Sequence, residues 1–181
     1  MLFVVGWVNG VTVLDNIMYV VCDGSSTIRL YNTDTCSPLD AVIHVEGMIY
    51  PCDIVVCRDD RQLYVVEWGS CTDWSCIWRV SCDDHSYVKW LSTTDGFLTA
   101  LSLTSRRLLM TSFWSRRLHQ YSTTDRQLLR VVELPQNVSD VLRGVETTRG
   151  TFVVGHEGTS HDQSLQWAVS ELLTVIIASK L

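Results

Sequence analysis

The chain is patterned in short apolar runs closed by polar residues, and the pattern recurs. Tyr19-Val20-Val21, Tyr64-Val65-Val66, Leu109-Met110-Thr111 and Phe152-Val153-Val154 lie 45, 45 and 43 residues apart. Around each triplet the apolar runs are only four to seven residues long and are bounded by Asp, Asn, Gly, Ser and Thr, which predicts strands joined by tight turns. The expected strands are 11–14, 17–22, 27–31 and 41–45, then 53–57, 62–68, 76–81 and 87–91. They continue with 98–103, 107–112, 117–121 and 129–134, and finally 141–145, 151–155 and 165–169. Asp15-Asn16 and Asp23-Gly24 supply the positive-φ positions that hairpins need. The third strand of each repeat puts apolar residues at alternate positions, as in Ile28-Arg29-Leu30-Tyr31, Ile77-Trp78-Arg79-Val80 and Leu118-His119-Gln120-Tyr121. A polar turn follows each: Asn32-Thr33-Asp34, Ser81-Cys82-Asp83 and Ser122-Thr123-Thr124-Asp125.

A fixed period of about 40 to 50 residues with several strands per repeat is the mark of β-propeller blades. The fold class is therefore all-β, with about four blades of roughly 43–45 residues in a single, partial propeller domain over 1–181. The approximate blades are 1–49, 50–94, 95–135 and 136–181. Nothing before residue 160 has helical periodicity. Residues 165–178 fit a strand or a terminal helix, and the β-branched run Thr174-Val175-Ile176-Ile177 favours the strand.

The unit of an apolar strand, a polar turn, a hydrophobic strand ending in an aromatic or acidic residue, and then an alternating strand closed by Tyr-Ser/Asn-Thr-x-Asp resembles the repeat of NHL-like and six-bladed, TolB-like propellers. Tyr50-Pro51-Cys52-Asp53-Ile54-Val55-Val56 with Leu63-Tyr64-Val65-Val66-Glu67-Trp68, and residues 96–125, carry the resemblance best. The Gly-His and Trp-Asp pairs of WD40 blades and the double glycine of kelch blades are missing. The resemblance implies six blades, or roughly 260 residues, where this sequence has four repeats. Exposed blade edges invite pairing, so the expectation is a chain completed by missing blades or by a homo-oligomeric partner.

Composition narrows the function classes. With 46% apolar and 19% charged residues the chain is globular rather than disordered. A net charge of −6 argues against non-specific binding of nucleic acid. Seven cysteines, at 22, 36, 52, 57, 71, 76 and 82, form no CxxC pair, and the expectation is reduced thiols, with Cys22, Cys57 and Cys76 acting as small hydrophobes. The sequon Asn137-Val138-Ser139 would matter only in a secreted chain. Residues 1–14 are apolar but lack a basic flank and are too short to span a bilayer, so they read as a first strand and no membrane span is expected. The expected location is cytoplasmic, with a peroxisomal alternative from Ser179-Lys180-Leu181.

Candidate chemistry is sparse. The loop around His156, Glu157, His161 and Asp162 has potential metal ligands without metalloprotease spacing. Asp34, Asp59-Asp60, Asp83-Asp84 and Asp125 recur where turns need Asx side chains. Arg106-Arg107, Arg116-Arg117, Arg126 and Arg130 make the third repeat basic, with Trp114 between the two pairs. Of seven tryptophans, Trp78, Trp90 and Trp167 fall within strands and read as packing between blades, whereas Trp68, Trp74 and Trp114 fall at strand ends. The reading is a non-catalytic interaction module that presents strand-end loops to a protein partner. Trp68, Trp114, Arg116 and Arg117 are its candidate contact residues, with no catalytic residue, metal or cofactor expected. Two alternatives stay open: a lactonase- or esterase-like propeller hydrolase with a channel metal, and RNA binding through the arginine-rich third repeat.

Overall fold

The computed structural model describes residues 6–69, 75–93, 96–136, 138 and 140–156. Within them the chain is built from antiparallel strands, with no helix. The first sheet is β1 (Val8–Leu14), β2 (Ile17–Cys22), β3 (Thr27–Asn32) and β4 (Pro38–His44). The second is β5 (Pro51–Cys57), β6 (Gln62–Trp68), β7 (Ser75–Ser81) and β8 (Tyr87–Thr93). The third is β9 (Leu98–Thr104), β10 (Arg107–Ser112), β11 (Arg117–Ser122) and β12 (Leu128–Glu133). In the fourth, β13 (Val141–Glu146) and β14 (Phe152–His156) are paired. The expected strand or helix at 165–178, Trp74, Trp167, Cys71, the Asn137 sequon and Ser179-Lys180-Leu181 lie outside the described residues.

Strands pair in chain order within each sheet, and the first strands stack side by side: β1 packs on β5, β5 on β9 and β9 on β13. These four are the inner strands of a fan of sheets. Each junction is a separate apolar core. Leu14, Tyr19, Val21, Ile28 and Leu30 meet Ile54, Leu63, Val65, Trp78 and Val80 between the first two sheets. Tyr64, Val66, Ile77 and Trp90 meet Leu98, Leu101, Leu108 and Met110 at the next, and Leu109 and Leu118 meet Val141, Phe152 and Val154 at the last. Period-2 alternation explains this, because it gives every sheet one face for the sheet before it and one for the sheet after.

Register corrects one detail of the repeat. Val11 pairs with Val20, Ile54 with Val65, Leu101 with Met110 and Gly144 with Val154. Gly144 faces Leu109 and Leu118 of the third sheet just as Leu101 faces the second. Equivalent positions are thus Val20, Val65, Met110 and Val154, spaced 45, 45 and 44. Phe152 is one residue out of step with Tyr19, Tyr64 and Leu109, and since a one-residue slip turns a side chain to the other face, it packs backward on the third sheet.

The turns repeat as well. Backbone N–H groups of Asn32, Ser81 and Ser122 donate to the carbonyls of Ser37, Ser86 and Gln127 at 2.9, 2.8 and 2.9 Å. Asp84 Oδ1 accepts from the Ser86 amide at 3.1 Å, and Asp125 Oδ1 from the Gln127 amide at 3.2 Å, which is the Asx role expected of these acids. At Gly10 a Cβ would lie 2.8 Å from the Ile54 nitrogen and 2.9 Å from the Asp53 Cα, so β1 approaches β5 more closely than any side chain allows. The six described cysteines are free thiols, and Cys22, Cys57, Cys76 and Cys82 are buried.

Candidate functional site

The inner strands all begin at one mouth of the fan, and each of the first three is preceded by an aromatic residue: Trp7, Tyr50 and Phe97. Their carbonyls accept from the amides of Asp23, Trp68 and Phe113 at 2.9, 3.0 and 2.9 Å, one rung beyond the first two strands of each sheet. The same mouth carries the ends of β6 and β10, with Trp68 and the Phe113-Trp114 pair. Side-chain donors then tie each sheet to the first carbonyl of the next inner strand. Asn9 Nδ2 donates to Pro51 O at 2.8 Å, Trp68 Nε1 to Leu98 O at 3.0 Å and Thr99 Oγ1 to Val141 O at 3.2 Å.

These ties gather four rings into a cup. Phe97 sits between the two candidate tryptophans, its ring 6.1 Å from Trp68 at 72° and 4.7 Å from Trp114 at 81°. Phe113 stands 6.1 Å from Trp114, again edge-on. With Thr99 and Leu142 they enclose an open cavity of about 430 Å³. Trp68, Trp114 and Leu142 remain 46%, 58% and 42% exposed, so rings that would ordinarily be buried face solvent around a carbon-lined hollow. Trp68 and Trp114, singled out from sequence, come together here. Phe97 and Phe113 were missed, although an aromatic residue immediately before three successive inner strands was a readable signal.

The arginines do not form one surface. Arg106-Arg107 and Arg116-Arg117 stand at opposite ends of β10, roughly 20 Å apart at strand spacing. Arg117 Nε pairs with Glu133 at 2.8 Å, Arg106 with Asp60 at 3.1 Å and Asp59 at 3.7 Å, and Arg107 with Glu146 at 3.5 Å. Arg130 binds both Glu146 and Gln120 and lies 4.4 Å over the Phe152 ring. Arg116, at the mouth, has φ 47° and its carbonyl accepts from Leu134 at 2.9 Å. On the face opposite the cup, Arg61 reaches Asp15 at 2.9 Å and Asp83 at 2.7 Å, the same sheet-to-sheet staple that Arg106 makes one repeat later. A polar groove of about 470 Å³ opens there, lined by Asp60, Gln62, Tyr64, Arg79, Arg106 and Thr123.

Among the described residues three carboxylates are buried, Asp53, Glu67 and Glu146, and each accepts hydrogen bonds. Glu67 Oε2 accepts from Trp78 Nε1 at 2.6 Å and Cys76 Sγ at 3.2 Å, and its Oε1 from the Ile49 amide. Glu146 accepts from Gln120 Nε2 at 2.7 Å. Asp53 accepts from the Leu101 amide at 2.9 Å and from Arg143 at 3.1 Å, and burial pushes its carboxyl above the ordinary range while those donors pull it back. Of the His156 loop only His156 is described, buried at the end of β14; Glu157, His161 and Asp162 lie outside the described residues. No group of three or more His, Cys, Asp and Glu side chains stands close enough to hold a metal among the described residues.

No protein-family profile matches the sequence, and no curated protein does. Solved structures match the fold. The nidogen/laminin complex aligns at TM-score 0.68 and 14% identity over 83% of this chain and 56% of that one. The WD40 β-propeller domain of Doa1 aligns at 0.65 and 14% over 82% and 47%. This chain has the β-propeller fold. Hydrazine synthase of Kuenenia stuttgartiensis (0.67, 15%, covering 85% and 45%) and the computationally designed Ika4 protein (0.64, 15%, covering 85% and 88%) also align with it. The propeller chain thus spans about half the length of three of these proteins. Its blades are the four sheets, its inner strands are β1, β5, β9 and β13, and its cup lies at the end where those strands begin.

Proposed function

We propose that this chain is a non-catalytic propeller interaction module that seats an apolar side chain of a protein partner in the cup of Trp68, Phe97, Phe113 and Trp114. On this reading residues 1–181 are one partial, NHL-like propeller domain with blades near 1–49, 50–94, 95–135 and 136–181, and Arg116 and Arg117 flank the contact. One observation carries it: half-exposed aromatic rings surround a carbon-lined cavity at the mouth, held in place by the inter-blade tie from Trp68 to Leu98. Aromatic anchors on a rigid scaffold are what interaction hot spots are made of. The binding energy comes from burying those rings, and the edge-on packing keeps them preorganised. The test is selection of a random displayed peptide library on the folded chain. Peptides with an aromatic or branched apolar anchor, bound at least tenfold more weakly by Trp114→Ala, are the expected result. Failure to enrich any peptide, or peptides indifferent to Trp114→Ala and Phe97→Ala, would overturn the reading.

A further inference from the structure

On the face opposite the cup, the three blade junctions share one set of positions but differ in chemistry. Register makes Ile17, Gln62 and Arg107 equivalent on the second strands, and Leu30, Arg79 and Gln120 equivalent on the third. Across each junction, Val56, Leu103 and Glu146 are equivalent on the inner strand of the following blade. At the first junction Ile17, Leu30 and Val56 pack into the apolar core. At the third the chain supplies a carboxylate: Glu146 accepts from Gln120 at 2.7 Å and pairs with Arg107 at 3.5 Å. The second junction has the polar residues without the carboxylate. Gln62 and Arg79 line the groove of about 470 Å³, while Leu103, at the Glu146 position, packs with Tyr64 and Leu108. Arg79 is half-buried and makes no hydrogen bond or ion pair among the described residues. The other charges of the groove are engaged. Asp60 pairs with Arg106 at 3.1 Å, and Asp84 accepts from the Ser86 hydroxyl at 2.8 Å. Burial pushes the Tyr64 phenol up to about 12, so it stays neutral and supplies no counter-charge.

We propose that this groove binds a small hydroxy-carboxylate, with Arg79 holding its carboxylate in the way that Arg107 and Gln120 hold Glu146 one junction later. A guanidinium with every donor open presents a planar fork that matches a carboxylate in two hydrogen bonds. The rest of the lining narrows the class. Gln62, Ser86, Thr123 and Thr124 offer amide and hydroxyl partners to ligand hydroxyls. Asp60 and Asp84 accept from such hydroxyls and repel a second negative charge, so a monocarboxylate fits better than phosphate or a polyanion. The volume is that of a small-molecule site. The groove stands apart from the aromatic cup, so the two sites are tested separately.

The experiment is calorimetric titration of the folded 181-residue chain with D-glucuronate. D-glucose, inorganic phosphate and a blocked peptide carrying a glutamate are the comparison ligands. Saturable binding of glucuronate, at least about tenfold tighter than of each comparison ligand, is the expected result. Arg79→Leu and Arg79→Gln place there the residue types that positions 30 and 120 already hold, so both variants should keep a cooperative melt. Each should weaken glucuronate at least about tenfold. Arg149→Leu removes an exposed arginine from the fourth blade and should leave binding unchanged. Should Arg79→Leu lose its cooperative melt, Arg79→Gln carries the same prediction. No binding of glucuronate, binding indifferent to Arg79→Gln, or equal binding of any comparison ligand would each overturn the proposal.

Discussion

Arg143 on β13 reaches past the intervening third blade to Asp53 on β5, its Nη2 3.1 Å from Oδ2. The same carboxylate accepts the Leu101 amide of β9 at 2.9 Å and its neighbour's Ile54 amide at 2.9 Å. One buried side chain therefore joins three inner strands.

Removing it strands buried donors. Asp53→Ala should cost about 3 kcal/mol, because two backbone N–H groups lose their acceptor inside the core. Asp53→Asn should cost less, since an amide oxygen still accepts. The pH dependence has a definite sign. Burial raises the folded carboxyl above its unfolded value, so this group's contribution is fully present below the ordinary carboxylate pKa and is lost as pH rises through the raised one. Urea unfolding of wild type against Asp53→Asn should show wild type gaining on the variant between pH 7 and pH 4. An unchanged difference would sink the assignment.

The turn acids behave oppositely. The Ser81 and Ser86 hydroxyls hold the Asp84 carboxyl down at about 2, and Ser122 and the Gln127 amide hold Asp125 low. Their contribution is present above the ordinary carboxylate pKa and disappears as pH falls toward the depressed values. Asp84→Ala with Asp125→Ala should lower the melting temperature at pH 7 and leave it unchanged near pH 2. Equal losses at both pH values would show that the turns depend on packing rather than on charge.

Glu146 is the centre of a buried polar network, its side chain 1% exposed and bound by Arg130, Gln120 and Arg107. Glu146→Ala should cost about 3 to 5 kcal/mol by leaving Arg130 uncompensated. Arg107→Ala, at a half-exposed and longer 3.5 Å contact, should cost under about 1 kcal/mol. Chemical denaturation of the two variants measures both, and equal losses would contradict the geometry.

The two cup tryptophans should separate. Trp68→Phe keeps the ring but deprives Leu98 O of its donor, for a loss of about 1 kcal/mol. Trp114→Ala, at 58% exposure, should barely move the unfolding midpoint while abolishing peptide binding. Parallel melts and binding titrations distinguish the roles.

The strands and hairpins were legible because period-2 alternation and Asx turns are local signals. Fourteen of the expected runs fell on observed strands, eleven of them with shifted ends, and 17–22, 62–68 and 107–112 matched residue for residue. The slip at Phe152 escaped because Phe152, Val153 and Val154 are all apolar, so only pairing to Glu146, Val145 and Gly144 reveals which ones face the third blade. The cup was half visible. Trp68 and Trp114 stood out as strand-end tryptophans, but their meeting depends on Phe97, a neighbour made by blade stacking. Pairing of the arginines was equally hidden, since Arg107 and Arg130 find Glu146 on the next blade.

The arginine staples and the aromatic cup occupy opposite faces of the same fan. Added salt screens the exposed pairs of Arg61 and Arg106 with their neighbouring-blade acids, whereas excluded salts such as sulfate strengthen burial in the cup. Ionic strength therefore acts on this molecule as a lever with two arms, relaxing the blades along one rim while tightening whatever is held at the other.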